Sequence, residues 1–549
     1  MLMLLKLSRF FLYASLFSVL IVLSGTFFPF IGGKYYFFRV AVELSLAFFI
    51  LSLAFEQPSK RFMETARGII SRPIFIAVSA FVFAYLLSAL LAYDPYAAFW
   101  SNYERGEGAF QMLHYYIFFV LMMFLFRSSS DWQMAFKLSL VAAVGIIFYG
   151  LLAQAVFLTP GLNVPIEASG RENGYKQLLI FVGPLTGGEI PESRWVRLTA
   201  PRFQGSLGNP SYVSPYLMFS LFYLSYLFAA RKNAIDEGER KKRRERYAWI
   251  VIGIIVLLYF LWVFLRMDAV LEAVPDIGAL GEAIISAFLV LAALVFTSTL
   301  FIEPSSSAVR WALFILFAFF IFTFFILTQT RGAFLGLGAA IFAFLLYLLW
   351  SFPRGRKWTV VALVVIVATG SMLVAFRHSP TVQQIPGARF LEIFDLGIQS
   401  QTVQTRLWTW NSAWRGFLER PIFGWGPENF SIVFDKYFDP RHYQVGKNSE
   451  TWFDRAHSIV FDYMAETGII GFLSYASVFV VFYLQFFRRR RRTENSANAF
   501  QNALLFAIPI GYLVQGLALF DVLPIYINLF LFLAFASYLF SAGKMNPPQ

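Results

Sequence analysis

Residues 454–472 read DRAHSIVFDYMAETGIIGF and place an arginine, three acids and one of only four histidines just ahead of an apolar run. A histidine in such a polar cluster suits proton transfer, because its ordinary pKa near 6.5 leaves the imidazole neutral around neutral pH and able to take a proton from an attacking hydroxyl. The spacing predicts a helix from near Ala456, with His457 in its first turn. A helix-capping or carbonyl-bonded imidazole is the competing reading. His114, His378 and His442 stand in less polar surroundings. Glu466 would lie roughly 13 Å along an ideal helix from His457, so it is no direct partner unless the helix breaks before Gly468. Asp454 is nearer in sequence, and the acid that orients His457 stays open.

A second set of residues is cationic. TQTRGAFLGL turns between two apolar runs with hardly any loop and holds Arg331 at a membrane edge, and TAPRFQGSLGNPSYVSPY puts Arg202 just before another run. In the second motif Gly205 and Gly208 allow close backbone approach and Pro210 suits a helix start. Arg406 and Arg455 add further guanidinium groups, with Asn209 and Gly332 beside the principal pair as supporting residues. Planar guanidinium forks bind phosphate oxygens in bidentate fashion and stay charged when partly desolvated, so a lipid-linked pyrophosphate fits them. Two other readings compete: arginines snorkelling at helix ends, and structural ion pairs with loop acids. The GWGPENF turn at residues 424–430 could offer backbone N–H groups to phosphate, but it reads first as loop architecture.

These residues need a scaffold, and the composition names it. With 58% hydrophobic and 14% charged residues the chain is too apolar for an aqueous fold, and runs of about 20 apolar residues recur throughout. The expectation is an all-α polytopic membrane protein of about 14 transmembrane helices, starting near residues 10, 36, 73, 109, 134, 211, 247, 283, 310, 333, 359, 469, 500 and 523. The first apolar run, continuing to about Ile31, reads as a retained span rather than a cleaved signal. The absence of Cys excludes disulfides and thiolate metal sites.

The basic loops KRFMETARGIISR, RKNAIDEGERKKRRER, PRGRK and RRRRR fall on one side if the spans alternate, and that side is cytoplasmic, as are both termini. The net charge of +13 is then largely a topology signal, and without interleaved aromatic residues it argues against a nucleic-acid partner. The expected organisation is a membrane domain over 1–376, with an outward loop at about 159–210, a long outward loop over 377–468, and the last three spans with a short tail over 469–549. Within that loop QTRLWTWNSAWRGFLER repeats Leu407, Trp410, Trp414, Phe417 and Leu418 at helical spacing, so one face can lie on the membrane surface.

Taken together, PRFQGSLGNPSY, TQTRGAFLGL, TRLWTWNSAWRGFLERPIFGWGPENF and AHSIVFDYMAETGIIGF resemble, in order and over about residues 200–475, the O-antigen ligase and O-antigen polymerase family of bacterial membrane glycosyltransferases. The resemblance implies a GT-C-type fold in the bacterial cytoplasmic membrane with its site on the outer face. It also implies an undecaprenyl pyrophosphate-linked glycan donor gripped by Arg202 and Arg331, and a hydroxyl acceptor activated by His457. Family members often carry Asn where this chain has Ser458, which leaves the acceptor contacts undefined. FWSNYERGEGAF, around Arg105, resembles an outward loop of some relatives. Ligase, polymerase and protein O-oligosaccharyltransferase differ only in the acceptor, a glycan, lipid or protein.

The expected reaction is a single displacement with inversion at the anomeric carbon. It requires no metal or other cofactor, since pyrophosphate is already a good leaving group, and the chain has no D-x-D triplet. A lipid-linked glycan transporter is the alternative class, with Glu43 and Lys137 inside apparent spans as its path. Against it, no inverted pair of interrupted helices is evident and the distinctive residues crowd onto one face.

The charge distribution generates a test. A reporter active only outside the cytoplasm should work when fused near Gly446 and fail near Arg490; the reverse pattern would move the His457 segment to the cytoplasm.

Overall fold

The computed structural model describes residues 2–23, 28–55, 60–102, 106–156, 202–230, 291–301, 306–383, 391, 394–395, 401–443, 451–492 and 499–541. Among these every regular element is a helix, and besides short 3-10 turns and the four-residue Pro380–Gln383 there are seventeen. In chain order they are α1 (Leu2–Ala14), α2 (Gly32–Ala54), α3 (Lys60–Ile70), α4 (Pro73–Leu90), α5 (Pro95–Trp100), α6 (Ala109–Leu125), α7 (Ser129–Val156), α8 (Pro210–Ala230), α9 (Leu291–Phe301), α10 (Ser307–Leu327), α11 (Arg331–Ser351), α12 (Arg356–Ala375), α13 (Gln401–Glu419), α14 (Phe430–Lys436), α15 (Ile459–Arg492), α16 (Ala499–Gly516) and α17 (Leu523–Ser541). Ten helices among the described residues are long and apolar enough to cross a bilayer, and α6 and α9 are shorter apolar helices. The chain is an all-α polytopic membrane protein.

Twelve of the expected span starts coincide with a described helix. The one near 247 lies outside the described residues, and of the one near 283 only α9 is described. The first span is shorter than expected: α1 tightens into a 3-10 turn over Ser15–Leu20, and Ile21 leaves in extended conformation. Ser15 contributes by bonding its hydroxyl back to Leu12 O at 2.7 Å, a local bond that competes with the regular helix.

The described helices belong to two compact units. The first comprises Met1–Ala135, Gly332–Val364 and Phe394–Gln549. Its centre is the packing of α4 on α15, where the Phe81 ring meets Tyr463 at 5.6 Å and Tyr475 at 5.4 Å. The last helix, α17, is buried against α6 and α4, with Tyr526 stacked on Tyr115 at 4.8 Å. Past α4 the chain turns at Asp94, whose carboxylate accepts from the Tyr96 and Ala97 N–H groups; with Pro95 in the first helical position this starts α5. The second unit comprises Phe136–Arg331 and Val365–Ile393. There Phe136 stacks on Tyr223 at 4.6 Å, and α8 packs on α10 through Phe228 and Trp311.

Helix α11 approaches α16 through glycines. A Cβ on Gly336 would stand 2.6 Å from Gly511 O, and one on Gly332 would stand 3.3 Å from the Ala518 Cβ. Small residues four apart let two membrane helices touch along their backbones. Gly336→Ala should therefore destabilise the protein by about 1–3 kcal/mol in thermal unfolding. Gly338→Ala, on the same helix with open space around it, should be neutral or slightly stabilising. Equal effects at both positions would dissolve the helix-contact argument.

Candidate active site

The turn that carries His457 is hydrogen-bonded on every side. The Ala456 N–H donates to Asp462 Oδ1 at 2.7 Å, and the Ala456 carbonyl accepts from Trp410 Nε1 at 3.0 Å. The His457 Nδ1 lies 3.1 Å from the Arg455 carbonyl oxygen. An imidazole that donates Nδ1–H to a carbonyl carries its lone pair on Nε2, the nitrogen then able to accept a proton. The ring stands edge-on between Phe453 at 5.4 Å and Phe520 at 5.1 Å, which limits its rotation.

His457 does not lie in a helix. It has φ +55° and precedes α15, which starts at Ile459 rather than near Ala456. Its main-chain conformation is left-handed, a state that costs a residue with a Cβ on the order of 1–3 kcal/mol and persists only where the surroundings over-determine it. Among the described residues the other non-glycine positive-φ positions are Ser101, Gln329 and Glu428. Ser101 and Glu428 connect to the His457 turn, and Gln329 stands two residues before Arg331.

The connection runs through Arg455. Its buried guanidinium pairs with Glu428, with Glu466 at 3.0 Å and with Asp462 at 3.5 Å. Burial works against the guanidinium charge, but the three carboxylates outweigh it and keep the group protonated. Glu428 in turn accepts from Ser101 Oγ at 2.6 Å. The second Glu466 oxygen accepts from the Glu428 N–H at 3.1 Å, so that one carboxylate bridges the GWGPENF turn and the His457 turn.

That bridge needs two glycines. Gly468 has φ +64° and breaks α15, and a Cβ there would stand 2.4 Å from Ile422 O; Gly424, φ +71°, lies as closely against Glu466 O. The backbone N–H groups of the turn are used within the protein: Trp425 N to Ala465 O at 2.9 Å, Gly426 N to Glu466 O at 2.8 Å, and Gly424 N to Arg420 O at 3.1 Å. The turn is architecture. Asn429 straps it to the start of α5, exchanging hydrogen bonds with the Asp94 N–H and carbonyl.

Arg202 donates from Nε to Thr328 O at 3.1 Å and from Nη2 to Thr330 Oγ1 at 3.0 Å, so the second unit brings Arg202 onto the turn that leads directly into Arg331. Arg331 begins α11, where the unsatisfied N–H groups of a helix start favour an anion. Arg406 lies on α13. Asn209 caps α8 by accepting from Ser211 N at 2.8 Å, Gly332 serves the approach to α16, and Arg105 lies outside the described residues. Elsewhere, Glu43 holds His114 at 2.9 Å, and His442 is buried among Trp408, Phe434 and Phe453, where desolvation lowers its pKa.

Two buried acids next to the His457 surroundings were not anticipated. Burial pushes the Asp521 carboxyl up to about 7 against a 2.6 Å hydrogen bond from Tyr512, and Glu107 up to about 8 against one from Tyr35. Glu428, Asp462, Ser101 and Asn429 were missed as well. Asp462 stands in the polar stretch without a visible partner, and Glu428 sits inside a turn read as loop architecture with backbone N–H groups.

The match to known proteins falls on this region: residues 315–476 correspond to the O-antigen ligase family. This ligase-like domain is a segment similar to O-antigen ligases. No curated protein matches the chain. The ligase-like domain includes Arg331, Arg406, Arg455, His457 and Glu466, whereas Arg202, Asn209 and Arg105 precede it.

The ligase-like domain's ion cluster is open to a direct test. Arg455→Met would strand three buried carboxylates and should lower stability by about 3–5 kcal/mol. Glu419→Gln, which weakens the exposed contacts with Lys436 and Tyr437, should leave the melting temperature nearly unchanged. Thermal melting of the two purified variants checks the contrast, and similar values for both would remove the cluster's structural role.

Proposed function

We propose that the protein transfers a glycan from a polyprenyl pyrophosphate, undecaprenyl pyrophosphate in the bacterial case, to a hydroxyl acceptor at the outer face of the cytoplasmic membrane. The observation that carries this reading is the setting of His457 within the ligase-like domain: Nδ1 faces the Arg455 carbonyl, which leaves the lone pair of the neutral ring on Nε2, and the residue is held in a left-handed turn.

In the reaction Nε2 takes the proton of the acceptor hydroxyl as its oxygen attacks the anomeric carbon. The bond to the pyrophosphate oxygen breaks, the leaving pyrophosphate keeps the electron pair, and the anomeric configuration inverts. Arg202 and Arg331, with Arg406, bind the pyrophosphate and stabilise the charge that develops on it. A guanidinium set can do this without a metal because pyrophosphate is a good leaving group. Arg455 is left out of the donor site, since its guanidinium is taken up by Glu428, Asp462 and Glu466. It acts on the chemistry through its carbonyl.

Reconstitution with a labelled polyprenyl pyrophosphate glycan is the test of the activity, and movement of intact donor across the membrane without cleavage would sink it. In that assay His457→Ala should lower turnover by roughly 10² to 10⁴ fold while donor binding persists. Wild-type turnover should fall as pH drops and the imidazole becomes protonated. Arg202→Lys and Arg331→Lys keep the charge but lose the fork, so they should weaken turnover and donor binding together. Normal turnover in His457→Ala, with only its melting lowered, would leave His457 a structural residue.

A further inference from the structure

Helix α13 shows apolar side chains on both sides. The inward side carries Trp408, Thr409, Ser412, Ala413, Gly416 and Phe417, all buried within the first unit. On the opposite side Leu407, Trp414 and Leu418 are 38%, 43% and 58% exposed. At 100° per residue these three fall within an arc of roughly 40° at the centre of the exposed face, where a helix in water should be most polar. The apolar face expected from the periodicity is therefore split: Phe417 turns inward, Trp410 stacks on Phe461 and bonds Ala456, and Leu407, Trp414 and Leu418 remain outside.

The exposed stripe continues beyond α13. Ile422 is 55% exposed, and its carbonyl accepts from the Ile470 N–H at 3.3 Å, while the Pro421 carbonyl accepts from the Ile469 N–H at 2.8 Å. Past the break at Gly468, Ile469, Ile470, Leu473, Val480, Leu484 and Phe487 form the exposed apolar side of the membrane-crossing part of α15. The outer face of α13 is thus joined through Ile422 to the exposed apolar side of a helix long and apolar enough to cross a membrane. Arg415 stands next to the stripe and is exposed, suited to anionic headgroups.

We infer that α13 lies in the headgroup region of the bilayer with Leu407, Trp414, Leu418 and Ile422 inserted among the lipid chains of the leaflet that meets the ligase loop. A tryptophan ring is favoured at that depth, where its body is apolar and its N–H reaches water or headgroups. Trp410, on the same helix, bonds the Ala456 carbonyl beside His457. With His457 as the general base, which rests on the proposed function, the lipid contact fixes its height at the level of a lipid-linked pyrophosphate.

The chain has no cysteine, so single cysteines can be introduced into the intact protein without background labelling. Nitroxide labels at Leu407→Cys, Leu418→Cys and Ile422→Cys, in vesicles of phosphatidylethanolamine and phosphatidylglycerol, report collisions with oxygen, which concentrates in the bilayer, and with a water-soluble nickel chelate. Leu484→Cys is the lipid-facing reference and exposed Thr451→Cys the aqueous one. The three stripe positions should favour oxygen, as Leu484 does, and Thr451 should favour nickel. Nickel-dominated collisions at Leu418 and Ile422 would overturn the inference, as would shielding from both reagents, which would mean a protein covers the face. Matching melting curves for labelled and unlabelled protein confirm that each variant is folded. Because no turnover is measured, this result and the glycan-transfer assay can fail independently.

Discussion

One buried guanidinium governs the geometry of the ligase-like domain. Taking the Arg455 charge out of water costs several kcal/mol, which only close carboxylates can offset. The three that do so come from two places: Glu428 from the turn after α13, and Asp462 and Glu466 from the first turns of α15. The cluster therefore ties the turn to the helix, and the residue it ties them with presents its own carbonyl to His457. An apolar core of the same volume could stabilise the fold as well. It would not fix where that carbonyl points.

The strained residues follow from this constraint. Glu428 adopts a left-handed conformation while its carboxylate is shared between Arg455 and Ser101, itself left-handed. Asp462 holds the Ala456 N–H, which leaves the chain to turn sharply at His457 before α15 begins. The strain lies where the side chains have least freedom to relax, and glycine is used at Gly424 and Gly468, where two backbones also touch. On the second unit the left-handed Gln329 belongs to the Thr328–Thr330 turn gripped by Arg202, immediately before Arg331.

The sequence makes the spans and the candidate site residues legible for different reasons. Hydropathy marks the helices because the bilayer requires long apolar runs whatever their neighbours are. His457 stands out by its type and its acidic company. The partners were less visible, because an arginine that binds phosphate and one that binds carboxylate are chemically the same residue; only the Glu428 contact, 27 positions away in sequence, decides for Arg455. The break at Gly468 could be posed as a condition but not inferred, since a helical pattern runs across it. Even with the break, Glu466 reaches Arg455, whose carbonyl meets the His457 ring, a relation that no spacing encodes.

Helix α13 illustrates why periodicity alone misassigns a face at a membrane edge. In water one apolar side of a helix faces the core, and its opposite side is polar. Here the helix lies between protein and lipid, so both sides are apolar and the sequence signal is the sum of two stripes. The inward side is close to the protein because Ser412, Ala413 and Gly416 sit between the buried Trp408 and Phe417, with Gly416 so near Val433 that a Cβ would overlap it, whereas Leu407, Trp414 and Leu418 lie on the exposed side. The small-residue side brings Trp410 to the Ala456 carbonyl, and the large-residue side meets the bilayer. A single helix then relates the depth of the membrane surface to the position of the imidazole.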